Sequence, residues 1–193
     1  MFNFPPQARV GSILPKSKIY QHGRLSTALR ERFVRQVEQI TWQYKLAPET
    51  INLPERGGVA EIEVFDITLK TDALDEEVLR AIDRAIPLPI IFQLQHGQRI
   101  RTAAAYKRPS AAEAGQWVID GYFASAWQPV DAEQQALPIA IDLHSLYEQL
   151  QRSRRNDYDK LEARLRKEIQ FNRKVALNAE LRELRAEIEQ LGG

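Results

Sequence analysis

The chain has 193 residues, a formal net charge of +1, 44% hydrophobic residues and no cysteine. That length suits one domain with room for an appendage, and the lack of thiols excludes a disulfide framework, cysteine-ligated zinc or iron–sulfur, and a thiol nucleophile. No apolar run approaches the roughly 20 residues that a membrane helix needs, and Met1-Phe2-Asn3-Phe4-Pro5-Pro6 has neither the basic nor the apolar region of a signal peptide, so the expected compartment is the cytoplasm.

In chain order, residues 1–24 carry Pro and Gly and read as an irregular lead-in with short extended pieces. Ile13-Leu14-Pro15-Lys16 and Lys18-Ile19-Tyr20 are placed to pin it to the domain. Ser26 is a candidate N-cap. The helix expected after it runs from Thr27 to about Leu46, because Leu29, Phe33, Val37, Ile40 and Tyr44 recur every three or four positions. Pro48 ends it, and residues up to Ala60 connect onward through a turn at Gly57-Gly58.

The stretch from Glu61 to Tyr106 is the organising unit. Glu61 to Leu69 alternates up to Val64 and then slips parity, which predicts a strand with a bulge or with both faces buried. Residues 71–86 read as a helix, with Leu74, Val78, Leu79, Ile82 and Ile86 on one face and Asp75, Glu76 and Glu77 at the start, where the helix dipole favours negative charge. Ile90 to Leu94 is a buried strand, His96-Gly97 a turn, and Arg99 to Tyr106 the returning strand. A strand-helix-strand unit pairs its strands in parallel, and the hairpin adds an antiparallel neighbour. The expected class is therefore α+β: a mixed β-sheet with packed helices.

Beyond it, residues 107–115 read as a polar loop and Gln116 to Trp127 as a further strand, with Asp120 and Tyr122 turned to water or a neighbouring loop. Pro129 to Pro138 is a linker, and Leu143, Leu146, Tyr147 and Leu150 open a helix. The tail is helix-forming. Leu177, Leu181, Leu184, Ile188 and Leu191 step by four and three, as a coiled-coil seam does. Upstream, Leu161, Leu165 and Ile169 keep a different frame, so the tail is either a straight arm with a stutter or a helical hairpin. Two heptads need support from their own domain, a second copy or another protein. The expected organisation is a lead-in over 1–24, a core domain over 25–140 and a helical arm over 141–193.

Charge is uneven along this plan. Lys and Arg outnumber Asp and Glu by 9 to 4 over residues 1–58 and trail by 7 to 12 over residues 59–140. Between Arg152 and Lys174 there are 9 basic and 4 acidic residues, an asymmetry that points to an anionic or protein partner. Lys45 beside Trp42 and Tyr44, and Arg152, Arg154, Arg155, Arg164, Arg166, Lys167, Arg173 and Lys174, are candidates for sequence-blind phosphate contacts. The interleaved Asp157, Asp159, Glu162 and Glu168 argue instead for ordinary pairing along a helix.

Signatures of chemistry are scarce. A restriction-type nuclease needs an acidic residue two positions before a lysine, and none of the eight lysines has one. Glu61 and Glu63 should face one side of their strand and Asp66 and Lys70 the other, a poor arrangement for one metal. His22, His96 and His144 are widely separated and show no zinc spacing. There is no phosphate-binding or dinucleotide fingerprint and no nucleophile elbow. No catalytic residue, metal or cofactor is expected, and an unrecognised enzyme around Asp66, Lys70 and Asp120 is the weakest of the readings.

Ile13-Leu14-Pro15-Lys16 with Ile19-Tyr20, Trp42-Gln43-Tyr44-Lys45-Leu46-Ala47-Pro48-Glu49-Thr50-Ile51-Asn52, Glu61-Ile62-Glu63-Val64-Phe65, Val78 to Pro87, Ala104-Ala105-Tyr106-Lys107 and Gln170 to Val175 together resemble the bacterial domain of unknown function 4391 family. The resemblance spans nearly the whole chain. It implies a small protein encoded beside helicases and DNA methyltransferases in restriction-like antiphage defence loci, and it brings no catalytic residue with it. The expected function is thus a non-catalytic accessory subunit docked on such a helicase or methyltransferase, or paired with a second copy through its arm. Direct nucleic-acid binding by basic patches of the N-terminal helix and the arm is the alternative.

Overall fold

The computed structural model describes residues 1–109, 117–151 and 167. In chain order the elements are β1 (Phe2–Asn3), β2 (Arg9–Ile13), α1 (Lys16–His22), α2 (Thr27–Gln36), β3 (Val37–Leu46) and α3 (Pro48–Ile51). There follow β4 (Ile62–Leu69), α4 (Glu76–Ala85), β5 (Ile90–His96), β6 (Arg99–Pro109), β7 (Trp117–Ala124), β8 (Gln128–Pro129) and β9 (Gln135–Ala136). A last helix, α5, occupies residues 143–151. The main sheet runs β2-β3-β4-β5-β6-β7, with β8 paired to the start of β6. Only β4 and β5 within it are parallel, joined by the α4 crossover, and the remaining pairs are antiparallel. The α+β class with a mixed sheet is therefore correct.

The centre follows its hydrophobicity. β4 is buried along both faces: Phe65, Ile67 and Leu69 join one core, and Ile62 and Val64 join the other. The parity slip in the sequence thus marks a central strand with apolar residues toward both layers. On the first face α1, α2 and α4 pack through Ile19, Phe33, Val78 and Ile82. On the second, α5 inserts Leu143, Leu146, Tyr147 and Leu150 against Ile62, Val64, Ile91 and Ala104, with Phe2 and Phe4 from the N-terminus beside them. Asp75 caps α4 by accepting from the Glu77 N–H at 3.0 Å, so the helix starts at Glu76 rather than near Thr71. At the β5–β6 turn Gly97 has φ +56°, the left-handed conformation that glycine adopts without penalty.

Several expectations are corrected. The helix expected from Thr27 to Leu46 stops at Gln36, and Val37–Leu46 is strand β3. Val37, Ile40, Thr41, Trp42 and Tyr44 are β-branched or aromatic and favour a pleated surface. Two register shifts, between Val37 and Gln39 and between Trp42 and Tyr44, break the strand's alternation and leave a spacing of three that mimics a helix. Residues 9–22 are not irregular: they form β2 on the sheet edge and α1. Pro48 opens α3 rather than only ending its predecessor, since proline fits the first helical position. β6 continues to Pro109, beyond its expected end at Tyr106. Tyr122 does not face water. The heptad seam and the basic arm, apart from Lys167, lie outside the described residues, as does the side chain of Asp120. Among the described residues no helix is long and apolar enough to cross a membrane.

Candidate functional site

The ionisable side chains of the sheet gather in three places. At the upper end, where β3 finishes and β4 begins, Lys45 donates to two carboxylates: Nζ lies 3.0 Å from Glu49 Oε1 and 2.9 Å from Glu61 Oε2. The second shift in β3 makes this possible. Trp42 pairs with Phe65 and Tyr44 with Val64, so one extra residue intervenes and Lys45 returns to the Trp42 face, as a bulge re-aims side chains. Tyr44 goes to the opposite core, its ring 4.9 Å from that of Phe4. The aromatic pair that precedes Lys45 in sequence is thus divided between the two faces. Both carboxylate hydrogen bonds raise the Lys45 pKa and hold it charged.

Glu63 sits beside this clamp, buried, and accepts from the Trp42 indole N–H. Burial pushes its carboxyl up to about 7; the indole hydrogen bond opposes this, and the charge of Glu61, with a hydrogen bond that protonated Glu63 donates to it, adds to the rise. Glu63 is therefore the carboxyl of this cluster that changes protonation near neutral pH, while Glu61 is paired with Lys45. This arrangement can hold or release one proton.

On the second face Asp66 lies in a row across four strands: Thr41 pairs with Asp66, Asp66 with Gln93 and Gln93 with Thr102. Oδ1 of Asp66 is buried without a hydrogen-bond partner, and burial pushes its carboxyl up to about 6. As expected from strand parity, Asp66 and the Glu61–Glu63 pair are on opposite faces.

The third group is the most enclosed. Asp83 on α4 forms an ion pair with Lys107 on β6, the side chains being 0% and 2% exposed. Asp83 also accepts from the Tyr122 hydroxyl, and the Lys107 ammonium donates to the Leu88 carbonyl at 2.7 Å. Tyr122 pairs with Ala105, two residues before Lys107 on β6, so both side chains are on the α4 face. Burial raises the Asp83 pKa and lowers that of Lys107, each opposed by the other's charge. Such a group ties α4 to the sheet and presents nothing to a substrate. Sequence reasoning missed it, because its members are 15 to 39 positions apart.

A different feature meets solvent. An open groove of about 420 Å³ is lined by Pro5, Ile51, Leu53, Leu137, Ile139 and Leu146. Of these Ile139 is 96% exposed, and Ile141, two residues on in the chain, is 76% exposed. Isolated exposed apolar residues are ordinary, but an almost fully exposed isoleucine that lines a groove of mainly apolar side chains, with a second exposed isoleucine two residues on, offers apolar surface to a partner.

Of the expected nucleic-acid residues, Lys45 is clamped by Glu49 and Glu61, and Lys167 is helical and exposed. Arg152, Arg154, Arg155, Arg164, Arg166, Arg173 and Lys174 lie outside the described residues, as do Leu177, Leu181, Leu184, Ile188 and Leu191. Among the described residues no group of three His, Asp or Glu side chains is arranged to hold a metal ion.

The family described as domain of unknown function (DUF4391) matches residues 2–154. No curated protein and no solved structure matches the chain significantly.

Proposed function

Because the chain belongs to the domain of unknown function 4391 family, we propose that it is a non-catalytic accessory subunit of a bacterial restriction-like antiphage defence system. It works in the cytoplasm and docks on the helicase or DNA methyltransferase encoded beside it. The observation that carries this reading is the groove lined in part by the exposed Ile139, with the exposed Ile141 two residues on. Burying two aliphatic side chains in a partner yields about 1.5–3 kcal/mol each, enough to make them anchors of an interface. The arm's heptad seam offers a second contact.

The test is purification of the tagged chain from cells that carry its native neighbouring genes, with nuclease treatment. A helicase or methyltransferase should come with it in fixed ratio. The change Ile139→Asp, Ile141→Asp should release that partner, and Leu181→Glu, Leu184→Glu should weaken it. Elution of the wild-type chain alone would refute the reading.

Direct nucleic-acid binding is the second reading. It is supported by the segment from Lys16 to Gln36, which carries six Lys or Arg residues and one Glu and forms α1 and α2 on one face of the sheet.

A further inference from the structure

We propose that the lower rim of the sheet, on the α1–α2–α4 face, is a binding site for the sugar-phosphate backbone of single-stranded nucleic acid, built from Lys16, Arg35, Lys70, Arg99 and Arg101 around Trp127. This deepens the direct-binding reading and rests on it. It moves the contact away from Lys45 to residues that the sequence leaves 83 positions apart between Lys16 and Arg99.

Topology brings them together. β3 starts, β4 and β5 end, and β6 starts at the same edge: Val37 pairs with Leu69, Thr68 with Gln95, and His96 with Arg99. Lys16 Nζ donates to the Val37 carbonyl at 2.5 Å and Lys70 Nζ to the Val34 carbonyl at 2.8 Å. The two ammonium groups therefore meet at the end of α2, next to Arg35. Each retains further N–H donors. Three strands along from β3, about 14 Å at the usual strand spacing, Arg99 and Arg101 hold the Trp127 ring, with guanidinium carbons 5.5 and 4.6 Å from its centre. This edge is also the carboxyl end of the parallel pair, where open α/β sheets place their ligands.

Charge at the rim is incompletely compensated. Neither Lys16, Arg35, Lys70, Arg99 nor Arg101 has a carboxylate within ion-pair distance among the described residues. Glu38 near Lys16 and Asp72 near Arg101 act only at longer range. Nε of Arg101 is buried and has no acceptor. A buried donor without a partner asks for one, and a guanidinium fork suits phosphate oxygens. Cations interleaved with an aromatic ring are the materials of a single-strand track, where the ring stacks on a base and the cations follow the backbone. An acidic polypeptide would use the charges but not the ring. The docking groove is lined from the opposite face, by α3, α5 and the N-terminal segment, so both surfaces can be occupied together.

The test is fluorescence anisotropy of the full chain with a fluorescein-labelled 20-nucleotide single strand, titrated from low to physiological salt. The change Arg99→Gln, Arg101→Gln should weaken binding about tenfold and reduce the log–log salt slope by about 1.4, the amount expected for two lost single-strand phosphate contacts. Lys16→Gln, Lys70→Gln should give a similar loss, and a thermal melt of each variant separates unfolding from lost contact. Binding should change the tryptophan emission of the wild type and not of Trp127→Phe. A matched arm variant, Arg164→Gln, Arg166→Gln, Lys167→Gln, separates the outcomes. Loss in the arm variant with unchanged affinity and slope in both folded rim variants overturns the rim site alone. Equal competition by poly-glutamate at matched charge assigns the rim to an acidic protein and overturns the nucleic-acid assignment. A wild-type chain that binds no single strand at low salt removes the direct-binding reading and the rim site with it.

Discussion

Replacing Lys107 by methionine tests the enclosed ion pair most directly. The substitution keeps the aliphatic stem and removes the charge, leaving the fully buried Asp83 carboxylate with only the Tyr122 hydroxyl. Breaking a buried pair on one side costs about 3–5 kcal/mol. For a chain of this length each kcal/mol lowers the melting temperature by about 2–4 °C, so the variant should melt about 6–20 °C below the wild type at neutral pH. The penalty should also depend on pH. Burial already lifts the Asp83 pKa above its ordinary 3.8, and the Lys107 charge works against that lift; without Lys107 the pKa rises further. An acid whose folded pKa is raised keeps its proton in the folded chain after the unfolded chain has lost it, so stability falls as pH rises from 3.8 toward the folded value. The penalty is thus small near pH 4 and grows as pH rises. Melts of both proteins by circular dichroism from pH 4 to 8 measure it. The double change Asp83→Leu, Lys107→Met should recover most of the loss, because removing both charges removes the desolvation problem. A variant that melts with the wild type at pH 7, or that is equally destabilised at pH 4 and pH 7, would refute the reasoning.

Other outcomes follow from the same groups. Because the Glu63 carboxyl is pushed from 4.5 up to about 7, it should reduce stability progressively as pH rises between those values; Glu63→Gln, which keeps an acceptor for Trp42, should flatten that part of the stability–pH curve from thermal melts. Asp66→Asn should stabilise the chain by about 1 kcal/mol at pH 7.5 and by almost nothing at pH 4, since it removes a buried charge that has no partner on Oδ1; equal stability at both values would discount the row. Gly57→Ala should cost about 1–2 kcal/mol from its φ of +61° alone, and more because a Cβ there would lie 2.9 Å from His144 Nδ1. Gly58→Ala, with φ +77° and open space, should show the backbone cost alone, so denaturant melts of the two isolate the His144 contact.

The elements with regular periodicity were legible. α4 declares itself through Val78, Leu79 and Ile82 and the acids at its start, and β5 through five consecutive buried residues from Ile90. β3 was not, because its two register shifts convert alternation into a spacing of three, and periodicity alone cannot tell a bulged strand from a helix. Tyr122 was misplaced for a related reason: the extra residue on β7 changes the parity between Ile119 and Gly121, and no local property of the sequence announces it. The candidate sites were less legible. Lys45 was found as a cation in an aromatic setting, but its two carboxylate partners depend on α3 and on the residue before β4.

Local preference and burial account for the α+β class, the strand-helix-strand centre and the helix that begins at Leu143, since each depends on residues close in the chain whose apolar spacing has one economical solution. Which side chains meet across the sheet was decided only by tertiary structure. Strand order and register set whether Asp83 reaches Lys107, whether Glu63 reaches Trp42, and whether Lys16, Lys70, Arg99 and Arg101 share a rim. A one-residue bulge moves a side chain to the opposite face, so the grouping of charges is a property of the assembled sheet rather than of any segment within it.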